Sequence, residues 1–522
     1  MGLKRSKGIL IGILVIIVVW RYLYHVKGPM SLIEAEDPAL SQFYLDLFKT
    51  VNQYRPTTPP SNQDKLVFKQ KCTLDRPIEV TDNSEDSLGK LSYKTLDYCF
   101  HLSPSQTANL RTAHNGYIKR VQELFGGPDE ALLQMLAPKS KGIVTIANEQ
   151  TLLALMSSIP RLRSLGSKLP IEVMFGPMAT RENEFCQDFL PKFNGRCVYM
   201  ADLLPRWAIK EYTFDDKTTY LFVPLVSDFK SILYMDGNHF AEMNLDSLFT
   251  LKPYMEEGLV LWPSNWRKTI SPVFYKISDG KIDLNKRVRN ANDDVSSPSR
   301  YMDLKSSDLQ FELLSRTPMH DLDGAIPDPA THPGVYMLDK EKHFKTVLLS
   351  IYYRINGKMW FDKMFASEDP QRGHHDSFVA AAHALGKPYH QVRMSPTQRD
   401  DVVSHIDPSF DQEAYDKLLE RIQTGAIDVA HYDSDYETTT FDKMMKTAAG
   451  STGNAAFIEF PKSHFHLTTT RIESLRNDKQ EYNNLYGTLC VQRLKLKFIE
   501  DNPSTYDINQ ICTYLDNIAM GG

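Results

Sequence analysis

The chain has 522 residues, 42% of them hydrophobic and 24% charged, with 26 glycines and 29 prolines. That is ordinary for a globular protein with a sizeable core, and it excludes collagen-like and low-complexity chains. Sixty Lys and Arg against 65 Asp and Glu leave a net charge of −5, so no basic excess supports nucleic-acid binding. Six cysteines, none in a C-x-x-C, do not make a zinc ribbon. In an oxidising compartment Cys186 with Cys197, or Cys490 with Cys512, are close enough in sequence to pair; in the cytosol all six would be free thiols.

In chain order, the first element is the apolar run GILIGILVIIVVW at 8–20, extended by YLYHV to residue 26 past Arg21. Nineteen helical residues span about 28 Å, close to the hydrocarbon thickness of a thin bilayer. Lys4, Arg5 and Lys7 precede the run, Trp20, Tyr22 and Tyr24 suit the far interface, and no A-x-A-like cleavage site follows. The expectation is an uncleaved signal anchor: a cytosolic tail over 1–8, a transmembrane helix over 9–26, and nearly everything else luminal. Residues 27–105 are polar and weakly periodic, with VNQYRPTTPPSNQDK (51–65) and TDNSEDSLGK (81–90), and read as a stem. No N-x-[ST] glycan acceptor occurs.

From residue 106 strand-like runs alternate with helical ones: GIVTIA (142–147), LLALMSSIPRL, IEVMFG (171–176), CVYM (197–200), SILYMD (231–236) and GLVLWP (258–263). This predicts βαβ units and a mostly parallel sheet flanked by helices, one catalytic domain over 106–522. The polar stretch 279–310 reads as an inserted loop. Regular structure resumes at GVYMLD (334–339), with helices over 341–354 and 376–385, a strand AAFIEF (455–460) and a helix near 471–486.

The chemistry gathers where SILYMD meets its loop. Ligands of open α/β sheets sit at the carboxyl ends of strands. Asp236 and Asn238 stand there in an Asp-x-Asn, where an Asp-x-Asp would offer a hard cation two carboxylates. Asp236 also suits an ordinary turn, and Asp376, ahead of Ser377-Phe-Val-Ala-Ala-Ala, also suits a helix N-cap. Trp262 and Trp266 with Arg267 and Lys268 read either as a sugar-stacking, phosphate-holding set or as a strand-end core with a solvated rim. The P-loop, nucleophile-elbow, zincin and dinucleotide-binding motifs are absent.

Taken together, SDFKSILYMDGN, Asn244-Leu-Asp-Ser-Leu-Phe, Gly258 to Pro272 and HHDSFVAAAHALGKPYHQV resemble the fungal Golgi α-mannosyltransferases of glycosyltransferase family 71, nearest to the α-1,2 type. The resemblance covers roughly residues 140–400 and extends to the anchor-and-stem layout. It implies a GT-A-like Rossmann-type fold, GDP-mannose as donor, Mn²⁺ as cofactor, transfer with retention and a mannan or N-glycan acceptor in the Golgi, with other mannosyltransferases as possible partners. Asp236 matches the first aspartate of the family's metal motif and Asn238 replaces the second. Asp376 keeps an acidic position of the family, beside His374 and His375 as departures, and would contact the reacting mannose or the acceptor hydroxyl. His464 and His466 offer a late imidazole ligand to the metal, and Lys217 and Tyr220 lie where the family places donor-binding groups. The departures leave a second expectation open: a weak or inactive paralogue that binds mannan or serves a mannosyltransferase complex.

Overall fold

The computed structural model describes residues 38–56, 72, 74–125, 130–149, 151–212, 214–215, 219–289, 311, 313–399, 402–424, 455–460 and 479–520. The expected tail and anchor lie outside the described residues, and no described helix is long and apolar enough to cross a membrane. The chain forms two units, Met1–Asp46 and Leu47–Gly522; of the first, only residues 38–46 are described, as the start of a helix. The second unit holds all the described strands and every candidate site residue that the structure places.

Seven strands make the main sheet: β1 Lys139–Ala147, β2 Ile171–Phe175, β3 Gly195–Tyr199, β4 Phe229–Met235, β6 Leu259–Pro263, β9 Thr331–Asp339 and β10 His390–Gln391. They lie in the order β10-β6-β9-β4-β1-β2-β3. Pairings among β1, β2, β3 and β4, and between β6 and β10, are parallel. β9 alone runs against the rest, threaded between β4 and β6. The mostly parallel expectation therefore holds, with one reversal. The stretches from GIVTIA to GVYMLD are continuous apolar runs because both faces of this sheet are covered. At the reversal Tyr234 faces Tyr336, their rings stacked at 4.9 Å.

A smaller antiparallel sheet stands beside it, built from β5 His239–Ala241, β11 Thr397–Arg399, β12 Val402–Ile406 and β13 Ala455–Glu459 in the order β11-β12-β13-β5. A third pair joins β7 Asp283–Arg287 to β8 Leu322–Asp323. The start of the expected 279–310 loop is thus a strand; residues 290–310 are not described.

The stem expectation is corrected. Leu47, Phe48, Val51, Leu91, Leu96 and Cys99 are fully buried, Cys72 is bonded to Cys99, and the backbone of Ile78 and Val80 is hydrogen-bonded to Arg267 and Asn265. Polar composition hid short helices whose few apolar residues mostly face inward, Tyr98 being an exposed exception. Ser84 and Ser92 cap two of them through their side chains. The helix Pro104–Phe125 buries Leu110, His114, Tyr117, Val121 and Phe125, a three-to-four-residue stripe along one face. Cys186–Cys197 and Cys490–Cys512 are also disulfides, and none of the six cysteines is free.

Candidate functional site

β4 delivers Asp236 to its carboxyl end. The Asp236 N–H donates to the Gly334 carbonyl at 2.8 Å, its Oδ1 accepts the Gly237 N–H at 2.6 Å, and its carbonyl accepts the His239 N–H at 2.9 Å. The result is a tight turn from β4 into β5 with a half-buried carboxylate at its tip. Gly237 is required there: a Cβ would lie 2.6 Å from the Cβ of Thr151. Thr151 closes the turn that follows β1, exchanging hydrogen bonds of 3.0 Å with Asn148. That turn rims a cleft of about 250 Å³ over the carboxyl ends of β1 and β2, lined by Asn148, Glu149, Phe175, Gly176, Thr180 and Glu182 among others. Two strand-end turns therefore touch, one rimming a cavity and the other bearing a carboxylate. Asn238 is buried, and its backbone carbonyl accepts the Phe460 N–H at 3.0 Å.

Immediately beyond, four side chains from four strands converge: His239 on β5, His332 on β9, His405 on β12 and Glu459 on β13, with ligand-capable atoms within 4.8 Å of one another. Burial holds the His239 imidazole well below the ordinary histidine range and lowers that of His405 to about 4, so both rings are neutral at pH 7.

Asp376 is held among protein groups. It is 4% exposed, its Oδ1 accepts the Thr331 N–H at 3.0 Å, and the Lys268 ammonium lies 3.5 Å away. The N-cap reading fails, because the side chain makes no capping hydrogen bond to the helix Ser377–Ala384. Arg267 and Lys268 are not a solvated rim; each is 1% exposed. Arg267 pairs with Asp328 at 3.4 Å, and Lys268 also donates to the Pro329 carbonyl. Burial pulls the Lys268 ammonium below the usual lysine range, against the opposing pull of Asp376. Trp262 is core, its Nε1 donating to the Ile406 carbonyl at 2.9 Å. The Arg372 guanidinium covers one face of Trp266 at 4.9 Å.

Tyr220, expected at the donor, lies in the core with its hydroxyl donating to the His374 carbonyl at 2.9 Å. Its backbone forms a short 3-10 turn, Thr219–Phe222, which leads into the helix Val223–Val226. Lys217, His464 and His466 lie outside the described residues.

One short ledge unites what is placed. Thr331 N–H holds Asp376, His332 joins the imidazole cluster, and the Gly334 carbonyl holds Asp236, all at the start of β9. Sequence reasoning missed His239, His332, His405 and Glu459. Their signal was faint: isolated polar residues on short strands that are far apart in sequence, from 239 to 459. Asn148 and Glu149 were legible, since they follow GIVTIA at a strand's carboxyl end, the same argument that singled out Asp236.

The chain is 30% identical to the alpha-1,2-mannosyltransferase MNN5 of Saccharomyces cerevisiae over 91% of its own length and 88% of that protein's. It is 34% identical to the alpha-1,2-mannosyltransferase MNN2 of the same yeast over 69% of this chain and 58% of that protein. To the alpha-1,2-mannosyltransferase MNN23 of Candida albicans it is 29% identical, over 60% and 51%. The galactosyltransferase LgtC overlaps 60% of this chain and 85% of its own at 9% identity and a TM-score of 0.28, too low to carry an argument. The mannosyltransferase family model Mannosyl_trans3 matches residues 140–433, which hold every strand of the main sheet from β2 to β10 together with Asp236, Asp376 and three of the four clustered side chains. The chain belongs to this mannosyltransferase family.

Proposed function

We propose that this protein is a GT-A-like α-1,2-mannosyltransferase that moves mannose from GDP-mannose, with retention of the α anomer, onto mannan or N-glycan outer chains. The observation that carries the reading is the contact between the Asp236 turn and the β1-end turn that rims the cleft. The nucleoside would occupy the cleft at the ends of β1 and β2, with Asn148 and Glu149 at its polar rim. The diphosphate would then lie toward Asp236.

Asp236 contributes one carboxylate and Asn238 an uncharged amide. A set this poor in charge suits a hard cation that arrives with its substrate's phosphates rather than one kept by the free protein. Mn²⁺ in our reading would be held by Asp236, Asn238 and diphosphate oxygens, and would stabilise the departing diphosphate as a Lewis acid. Asp236 orients the diphosphate end of the donor. Asp376 acts from behind as a positioning residue, fixing the β9 ledge through Thr331.

An anchored, luminal Golgi location fits the apolar N-terminal run and three cysteine pairs, which favour an oxidising compartment. Other mannosyltransferases are candidate partners there. The test is GDP release and glycan transfer by the detergent-solubilised full chain given GDP-mannose and an α-mannoside acceptor, with Mn²⁺ and with EDTA. Methylation analysis of the product should show new 2-substituted mannose. The missing second carboxylate at Asn238 favours the accessory reading specifically; mannan binding without donor turnover under any divalent cation would establish it and sink ours.

A further inference from the structure

We propose that His239, His405 and Glu459 ligate a resident divalent cation of the zinc class, with His332 hydrogen-bonded to the carboxylate from outside. This goes beyond the transferase reading and does not depend on it.

The side chains meet by construction. Glu459 on β13 lies directly opposite His239 on β5. His405 on β12 pairs with Phe457, two residues from Glu459, so all three share one face of the small sheet. β9 lays His332 against that face. Around Glu459 Oε2 the Nε2 atoms of His332, His405 and His239 lie at 3.2, 3.5 and 3.9 Å. Ligands bonded at 2.0–2.1 Å to a tetrahedral ion stand about 3.3 Å from one another, so the carboxylate has about 0.2 Å to close on His405 and about 0.6 Å on His239, and all the ligand atoms already lie within 4.8 Å of one another.

The hydrogen bonding is incomplete without a partner of this kind. His239 is fully buried, yet neither of its ring nitrogens, including the Nε2 that faces Glu459, finds a hydrogen-bond partner among the described residues, whereas the His405 Nε2 is hydrogen-bonded to Glu459 Oε2 at 3.5 Å. A neutral imidazole carries one N–H and one lone pair, and a buried one with neither satisfied is a costly arrangement to keep. A cation would take one lone pair from each ring, at the Nε2 that faces Glu459. His332 differs: its Nδ1 accepts the Gly334 N–H at 3.1 Å, which places its proton on Nε2, pointed at Glu459. That is the outer hydrogen bond that fixes a ligating carboxylate.

The donor set also selects the ion. Two imidazoles and one carboxylate suit zinc, whereas a hard cation prefers an all-oxygen set such as Asp236 and phosphate would supply. The Glu459 and His332 side chains are 26% and 16% exposed, which gives the ion an entry path and a fourth position for water. Bound there, it would tie β5, β12 and β13 to β9 a single turn away from Asp236.

The full chain, purified without a histidine tag and without donor, is assayed for metal by mass spectrometry. It is then stripped with EDTA and titrated with Zn²⁺, Mn²⁺ and Co²⁺. We expect about one zinc per chain, restored preferentially by Zn²⁺, intense visible bands of tetrahedral Co²⁺, and a Tm that rises with Zn²⁺. His405→Ala and the near-isosteric Glu459→Gln should weaken zinc at least about tenfold, and His332→Gln less, while Asp236→Ala keeps its zinc. Background zinc together with no Co²⁺ bands in the unmutated chain overturns the site, as does full zinc retention in Glu459→Gln. Because metal is read without GDP-mannose, failure of donor turnover leaves this result untouched, and the reverse also holds.

Discussion

A Cβ placed on Gly334 would lie 2.9 Å from the Nε2 of His239 and 2.8 Å from the Cε1 of His332. The same glycine offers its carbonyl to the Asp236 N–H. One residue without a side chain thus lets the His239 ring pack beside His332 against the strand that also anchors the candidate donor-binding carboxylate.

Gly334→Ala should therefore push both rings outward. We expect a loss of about 1–3 kcal/mol, the usual cost of overpacking a filled site, read as a lower urea midpoint. Adding His239→Ala should restore part of it. Equal loss in the single and double variants would show that the strain lies elsewhere.

Asp236→Asn keeps the turn's shape and removes its charge. Transfer should fall about a hundredfold or more, the scale of losing one preorganised stabilising group, with the unfolding midpoint nearly unchanged. Activity within a factor of about two of the parent chain would remove Asp236 from the proposed chemistry.

The Lys268–Asp376 pair is tested through stability first. Lys268→Met leaves a carboxylate uncompensated at 4% exposure, and breaking a buried pair in this way costs about 3–5 kcal/mol. Combining it with Asp376→Asn should recover much of that. If Asp376 positions the β9 ledge rather than touching sugar, Asp376→Asn alone should lower kcat and stability together and leave the KM for GDP-mannose nearly unchanged.

Two histidines outside the site should make the protein acid-sensitive. His114, stacked on Tyr353 with its Nε2 2.8 Å from that hydroxyl, is lowered by burial to about 4. His320, whose Nδ1 lies 2.6 Å from the Ile326 carbonyl, is lowered to about 4 for the same reason. Unfolded, both bind protons near pH 6.5, so their neutral forms lose stability as pH falls from about 6.5 toward 4. Each should cost about 2 kcal/mol between pH 7 and pH 5. Urea titrations at both pH values should show a smaller drop for His114→Gln than for the parent; an identical drop would mean that His114 titrates normally in the fold.

The strands were legible because their burial is local in origin. A continuous apolar run such as Leu259–Pro263 is itself the reason both of its faces are covered, and the carboxyl end of β4 could be named before any neighbour was known. The described residues between Leu47 and Phe100 escaped the sequence reading for the converse reason. Those that face inward are few and separated by polar ones, so only packing and the Cys72–Cys99 bond show that they belong to the folded body.

Sequence by itself determined where most strands of the main sheet lie, that Asp236 ends a strand, and which family the chain resembles, since each depends on residues within a short window. Tertiary structure alone decided that β9 runs backward between β4 and β6, that Asp376 spends its carboxylate on Lys268 and Thr331, and that His239, His332, His405 and Glu459 meet. Hydropathy says only that a side chain is buried. Which distant partner it is buried against depends on strand order and register, and those are settled by how the sheets close on one another.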